Sequence, residues 1–129
     1  MTTVLVTGAN GQLGLAIKAV AQKYPELSFY FTGKEELDIT DKDQIATFFS
    51  THNLDFCINA AAYTNVDKAE DEPETAYLLN ETAPRLLAEA CKKNNTYLIH
   101  ISTDYVFDGT KGTAYMIEDV PNPINVYGA

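Results

Sequence analysis

Seven residues near the start of the chain have the types and spacing to hold an anion: Gly8-Ala9-Asn10-Gly11-Gln12-Leu13-Gly14. A phosphate is bound tightly by backbone N–H groups only where no side chain keeps it at a distance. In the spacing G-x-x-G-x-x-G, Gly8 permits a tight turn off a strand. Gly11 clears the place where backbone meets a pyrophosphate, and Gly14 lets the following helix pack close to the sheet. The anion would meet free N–H groups and the positive end of the helix dipole. Glycines at this spacing are weak evidence alone; a strand before them and a helix after them is the context that confirms them. A tight turn with no ligand is the alternative.

The elements around the loop supply that context. Thr3 to Thr7 is a β-branched apolar run, read as a buried strand. From Gln12 to Tyr24, Leu13, Ile17, Val20 and Ala21 mark one helical face, and Pro25 ends it. Leu27 to Thr32 reads as a second strand and Glu36 to Ile39 as a short third. Thr40 is expected to cap a helix whose apolar face is Ile45, Phe48 and Phe49. Asp55 to Ala60 is a fourth strand, followed by a helical turn over Asn65 to Glu70. Pro73 opens a longer helix with Ala76, Leu79, Ala83, Leu86, Leu87 and Ala90 inward. Pro84 lies inside it and cannot donate to the carbonyl of Asn80, which predicts a kink or a freed acceptor. Thr96 to Ser102 is a fifth strand, a polar loop runs to about Val120, and Asn122-Pro123 is expected to start another helix. Strands separated by helices imply an α/β, Rossmann-like, doubly wound parallel sheet. The expected order is 3-2-1-4-5, in one dinucleotide-binding domain over residues 1–129 that is incomplete at its C-terminus.

Composition narrows the partners. The 129 residues are 46% hydrophobic, which excludes a disordered chain, and the net charge is −9, which disfavours nucleic acid and anionic membranes. No run of about 18 apolar residues and no signal-peptide pattern is present, and the expected location is cytoplasmic. Cys57 and Cys91 read as small buried hydrophobes. His52 and His100 are solitary, so no metal site is expected. NAD sites usually carry an acid at the end of the second strand. Thr32-Gly33-Lys34 stands there instead, with no carboxylate to repel a 2′-phosphate and Lys34 able to attract one, so NADP or NAD is expected. A plain solvated turn explains Lys34 equally well.

Two further stretches are more specific than the glycines: Asn59-Ala60-Ala61-Ala62-Tyr63-Thr64-Asn65-Val66-Asp67-Lys68-Ala69-Glu70 and Ser102-Thr103-Asp104-Tyr105-Val106-Phe107-Asp108-Gly109. With the glycine loop and Asp38-Ile39-Thr40-Asp41, they resemble the dTDP-4-dehydrorhamnose reductase family, extended short-chain dehydrogenase/reductases of nucleotide-sugar metabolism. The resemblance runs from Val4 to Tyr127-Gly128. It implies NAD(P)H-dependent reduction of the 4-keto group of dTDP-4-dehydro-6-deoxy-L-mannose to dTDP-L-rhamnose. By motif, it places Gly11, Gln12 and Leu13 on the pyrophosphate and Thr32 at the adenosine ribose. Asp38 and Ile39 fall at the adenine, and Ala62, Tyr63 and Thr64 along the nicotinamide half. Thr103 takes the family's catalytic hydroxyl position, Asp104 the neighbouring substrate contact and Tyr127 the catalytic tyrosine. Both loops follow strand ends, where ligands of open α/β sheets bind. A Thr hydroxyl there can steady developing negative charge on a carbonyl oxygen, and a Tyr phenol can supply its proton.

Other readings of the same residues stay open. Thr103 and Asp104 could be turn residues, Tyr63 and Tyr105 core aromatics, and Asp67, Lys68 and Glu70 a solvated charged turn. Asn80 could contact the loop or cofactor, or simply be a polar helix residue near a proline. The family's pattern is Tyr-x-x-x-Lys, and Ala129 comes before the lysine position. The 129 residues are therefore expected to fold without being a competent reductase. They are also expected to leave a sheet edge or helix face uncovered, and so to dimerise or self-associate. A non-catalytic dinucleotide-binding module of this fold is one alternative. An epimerase or dehydratase of the extended short-chain group is the other.

Overall fold

The computed structural model describes residues 1–129. Four parallel strands form one sheet: β1 (Thr2–Thr7), β2 (Leu27–Thr32), β3 (Phe56–Asn59) and β4 (Tyr97–His100), in the order β2-β1-β3-β4. α1 (Gln12–Ala21) connects β1 to β2, and α2 (Lys42–Thr51) crosses back to β3. The return to β4 runs through α3 (Val66–Asp71), α4 (Pro73–Tyr77), a π-helical turn (Leu78–Thr82) and α5 (Ala83–Lys93). Chain order reverses direction between β1 and β3, which opens a crevice at the carboxyl ends of those strands.

One face of the sheet holds the core. Leu5 and Cys57 meet Ile45 and Phe49 of α2, and Ala83, Leu87 and Cys91 of α5, all buried. The inward faces expected for both helices are therefore the ones observed, with Phe48, Leu79, Leu86 and Ala90 half-buried around them. On β4, Tyr97 and Ile99 remain exposed, as does Ile101 just beyond it.

Three local expectations are corrected. Residues Glu36 to Ile39 form no strand, so the sheet has four strands and not five; without that strand, the expected neighbours are those observed. Leu37 and Ile39 are buried as loop anchors in the α2–α5 core, and the Leu37 N–H turns back to the Gly33 carbonyl at 3.0 Å. The cap of α2 is Asp41 rather than Thr40. The Asp41 carboxylate accepts from the N–H groups of Asp43 and Gln44, while the Thr40 hydroxyl is donated to Asp38. No helix follows Asn122-Pro123; the Asn122 side-chain amide donates to Asp108 at 2.8 Å and its backbone N–H to the Val106 carbonyl at 3.0 Å.

Pro84 cannot donate to the Asn80 carbonyl, and where a kink or a freed acceptor was expected the helix widens into the π turn just before it.

Candidate functional site

Each strand ends on a polar residue at the same level. Thr32 pairs in register with Thr7, Thr7 with Asn59, and Asn59 with His100. Thr7, Thr32 and Asn59 are buried, and their side-chain polar atoms are bonded to one another, to backbone or to His100. This rung is the floor of the crevice.

Above it, the chain leaves β1 through Gly8 at φ +67°, where a Cβ would lie 2.6 Å from the Ala61 nitrogen. Both the turn and the contact exclude a side chain. Gly11 is different. Its φ of −80° and ψ of 173° suit any residue, and a Cβ there would meet only the Gly8 carbonyl oxygen, at 3.4 Å. Nothing in the protein requires Gly11 to be glycine; its missing side chain leaves space in front of the α1 N-terminus. That end carries no side-chain cap, so its first amides face the crevice.

The crevice has two lobes. The larger, about 620 Å³, is lined by Gly11, Gln12, Leu13, Ala60–Ala62, Thr64 and, across from them, Asn80, His100, Ser102, Thr103 and Tyr127. The smaller, about 360 Å³, is lined by Gly8, Gly33, Lys34, Asp38 and Ile39 among others. The lobes share Gly11 and Ala60–Ala62. A flat or extended ligand could therefore run from one to the other past the helix N-terminus. In the smaller lobe, hydrogen bonds from the Thr40 hydroxyl and N–H, with the Lys34 charge adding to them, hold the Asp38 carboxyl below its ordinary range.

Most of the residues singled out in the sequence come together here. Gly8, Gly11, Gln12, Leu13, Asp38, Ile39, Ala62, Thr64, Thr103 and Tyr127 line one lobe or both. Three stand elsewhere. Thr32 lies beneath the smaller lobe with its hydroxyl toward the Val6 carbonyl, and Asp104 lines neither lobe. Tyr63 donates its phenol to Glu72 at 3.0 Å, on the far side of its loop. Glu72 also pairs with Lys68 at 2.9 Å. Its carboxyl is lowered by these two bonds, the Lys68 ammonium is raised by the pairing, and the Tyr63 phenol is raised by desolvation and then by Glu72.

What Tyr63 contributes to the crevice is backbone. Its N–H donates to Asn80 Oδ1 at 2.8 Å, and Asn80 Nδ2 donates to the Tyr63 carbonyl at 2.9 Å. Asn80 sits in the π turn that Pro84 imposes, so the proline sets the side chain that clamps the Ala62–Thr64 loop. Tyr127 is held from two sides. Tyr105 meets its ring edge-on with centroids 6.2 Å apart, and the Val126 N–H donates to Glu70 at 2.8 Å. The loop beneath is stapled by Asp108, which accepts from the Thr110 N–H, the Asn122 amide, the Thr110 hydroxyl and the Tyr115 phenol. Those bonds hold its carboxyl well below the usual carboxylate range.

The sequence reading missed His100, Ser102, Ala60 and Ala61 as crevice residues, and Asn59 as the buried polar centre of the floor. A signal was present: every strand in the sheet ends on Thr, Asn or His.

The sheet order and the crevice at its switch point define a Rossmann-like α/β domain. The chain belongs to the family described as the RmlD substrate binding domain, whose model matches residues 1–129. It is 42% identical to a dTDP-4-dehydrorhamnose reductase of Aggregatibacter actinomycetemcomitans, over 99% of this chain and 44% of that protein. A crystal structure of a dTDP-4-dehydrorhamnose reductase from Clostridium acetobutylicum superposes with a TM-score of 0.93 at 38% identity, covering 98% of this chain and 45% of that one. One from Bacillus anthracis, in complex with NADP, gives 0.92 at 39% identity, covering 99% and 46%. The chain spans less than half the length of these relatives.

Proposed function

We propose that residues 1–129 form the NADP- or NAD-binding domain of a reductase acting on the 4-keto group of a dTDP-linked 6-deoxy sugar. The observation that carries this reading is the two-lobed crevice, with Thr103 and Tyr127 both lining its larger lobe. The residues fit a dinucleotide. The space at Gly11 and the uncapped amides of α1 would take the pyrophosphate. The smaller lobe, with Lys34, Asp38 and Ile39, would take the adenosine half, and the alanines beside the larger lobe leave room for a flat ring. The identity of the relatives as dTDP-4-dehydrorhamnose reductases and the NADP complex of the Bacillus anthracis reductase support the same assignment.

A reduced nicotinamide supplies the hydride when bound. The chain's own groups handle the oxygen. The Thr103 hydroxyl, now donated to the Asp104 carbonyl at 2.7 Å, is a donor that a substrate ketone oxygen would take over. The Tyr127 phenol would give that oxygen its proton. Asn80 would hold the Ala62–Thr64 backbone rigid against the ring face. No lysine lines the lobe that holds Tyr127. We therefore assign cofactor binding to residues 1–129 and full turnover to a protein in which a cation reaches Tyr127. A cytoplasmic location is part of this proposal; separately, no helix is long and apolar enough to cross a membrane.

The test is NADPH consumption with a dTDP-4-keto-6-deoxy sugar, measured on the protein that carries this domain. Tyr127→Phe should lower kcat by about 100-fold or more with little change in NADPH affinity. An unchanged kcat, or no consumption by the parent protein, would contradict the assignment.

A further inference from the structure

The polar rung that floors the crevice sets the state of one side chain that the proposed chemistry does not use. Thr7, Asn59 and His100 are register partners on β1, β3 and β4. The Thr7 hydroxyl donates to Asn59 Oδ1 at 2.6 Å, and the Ala61 N–H donates to the same atom at 3.1 Å. A backbone N–H can only donate, so the atom it meets is the amide oxygen. Asn59 Nδ2 then faces His100 Nδ1 at 3.1 Å. An amide nitrogen can only donate, so Nδ1 accepts, and the neutral ring carries its proton on Nε2. Nε2 has no hydrogen-bond partner within the chain, and His100 lines the larger lobe. It also lines a second pocket of about 330 Å³, which shares Asn80, Ser102, Thr103 and Tyr127 with that lobe.

We propose that His100 contacts the ligand in the larger lobe, its Nε2–H donating to an acceptor oxygen on the nicotinamide half of the dinucleotide, and that Asn59 is the positioning residue that fixes this tautomer. The proposal rests on the reading that the crevice binds a dinucleotide. The half is set by the lining: His100 borders the larger lobe and not the smaller one with Lys34 and Asp38. With Nδ1 committed to Asn59, the ring offers the crevice a donor and no acceptor. It therefore selects for an oxygen and against an amino group at that point.

The chain contains its own control. Nδ1 of His52 lies 2.9 Å from the Phe48 carbonyl, which can only accept, so His52 carries its proton on Nδ1. Proton–nitrogen correlation spectra of the 129-residue chain, uniformly labelled with ¹⁵N and recorded at about pH 8, above the ordinary histidine pKa, should show opposite tautomers at the two rings. Asn59→Asp keeps an acceptor for Thr7 and Ala61 but replaces the donor facing His100. It should move the His100 proton to Nδ1 and leave His52 unchanged. Saturation with NADPH should shift His100 Nε2, whereas 2′,5′-ADP, which carries only the adenosine half, should not. His100→Phe should weaken NADPH about 3- to 10-fold, the loss of one neutral hydrogen bond, and leave 2′,5′-ADP within about twofold.

An Nδ1–H tautomer at His100 in the unaltered chain would overturn the proposal. So would an unmoved His100 Nε2 in a chain whose Gly11, Gln12 and Leu13 amides report bound NADPH, and that result would leave the dinucleotide reading intact. If neither NADPH nor 2′,5′-ADP shifts any resonance, the dinucleotide reading fails and this proposal fails with it. Should Asn59→Asp not fold, the tautomer and titration of the unaltered chain decide the matter.

Discussion

Gly8 and Gly11 lack a side chain for opposite reasons, and substitution separates them. At Gly8 a methyl group would collide with the Ala60–Ala61 backbone in a left-handed conformation, so Gly8→Ala should destabilise the fold by roughly 2 kcal/mol or more. At Gly11 the backbone is extended and the space is open, so Gly11→Ala should leave the Tm within about 2 °C of the unaltered chain. Paired thermal melts check both. The glycine loop was legible in the sequence because its physics is local: one strand end, one turn and one helix start within seven residues. Asn59 and His100 were not. Asn59 meets Thr7 across 52 residues and His100 across 41, and only the strand register brings the three together.

Among the elements, the helix interrupted at Leu78–Thr82 links packing to the site. Pro84 withholds a donor, the helix widens, and Asn80 turns its amide to both polar groups of Tyr63. Asn80→Ala would leave a part-buried N–H and carbonyl without partners. It should cost about 1–3 kcal/mol by chemical denaturation and speed hydrogen exchange at the Tyr63 amide. Pro84→Ala restores the missing donor and should regularise the helix, with the same rise in exchange at Tyr63 and little loss of overall stability; unchanged exchange in both variants would remove Asn80 from the clamp. The position of the disturbance could be read from sequence because a missing N–H is a property of the residue type, but its form, a π turn, could not. The strand expected at Glu36 to Ile39 shows the opposite case. Apolar residues at 37 and 39 alternate as a half-buried strand would, and alternation does not distinguish pairing at a sheet edge from two anchors plugged into a core. The helix expected at Asn122 does not form, and the Asn122 amide instead reaches Asp108, 14 residues away, a pairing that no local pattern reveals.

Over the whole molecule, acid stability depends on a set of bonded carboxylates. Asp38, Asp41, Glu72, Asp108 and Asp119 all have carboxyls lowered by the hydrogen bonds they accept. A lowered folded-state pKa contributes stability above the unfolded-state value and loses it as pH falls through the folded one. With ordinary values of 3.8 for Asp and 4.5 for Glu, the urea midpoint should hold from neutral pH down to about 5 and fall below about 4. Lys68 acts in the other direction: its raised pKa contributes stability below 10.5 that disappears as pH rises beyond the folded value. Asp108→Asn should flatten the acid limb and loosen the loop that Asp108 staples; an unaltered acid limb would remove Asp108 from this role. The exposed Tyr97 and Ile99 of β4, with Ile101 just beyond it, form the face on which the expected self-association would occur. Sedimentation should show a mass that rises with concentration and falls back in Ile99→Lys, and a monomer at high concentration would end that expectation.

The crevice itself is tested by titrating the folded 129-residue chain with NADPH and with NADH, following energy transfer from its tyrosines to the reduced nicotinamide. One saturable site is expected, weakened at least about tenfold in Gly11→Ala at unchanged Tm, the mark of a methyl group placed in the pyrophosphate's space. A chain that melts cooperatively yet shows no saturable binding of either nucleotide, or a Gly11→Ala variant that binds as tightly as the unaltered chain, would contradict the account.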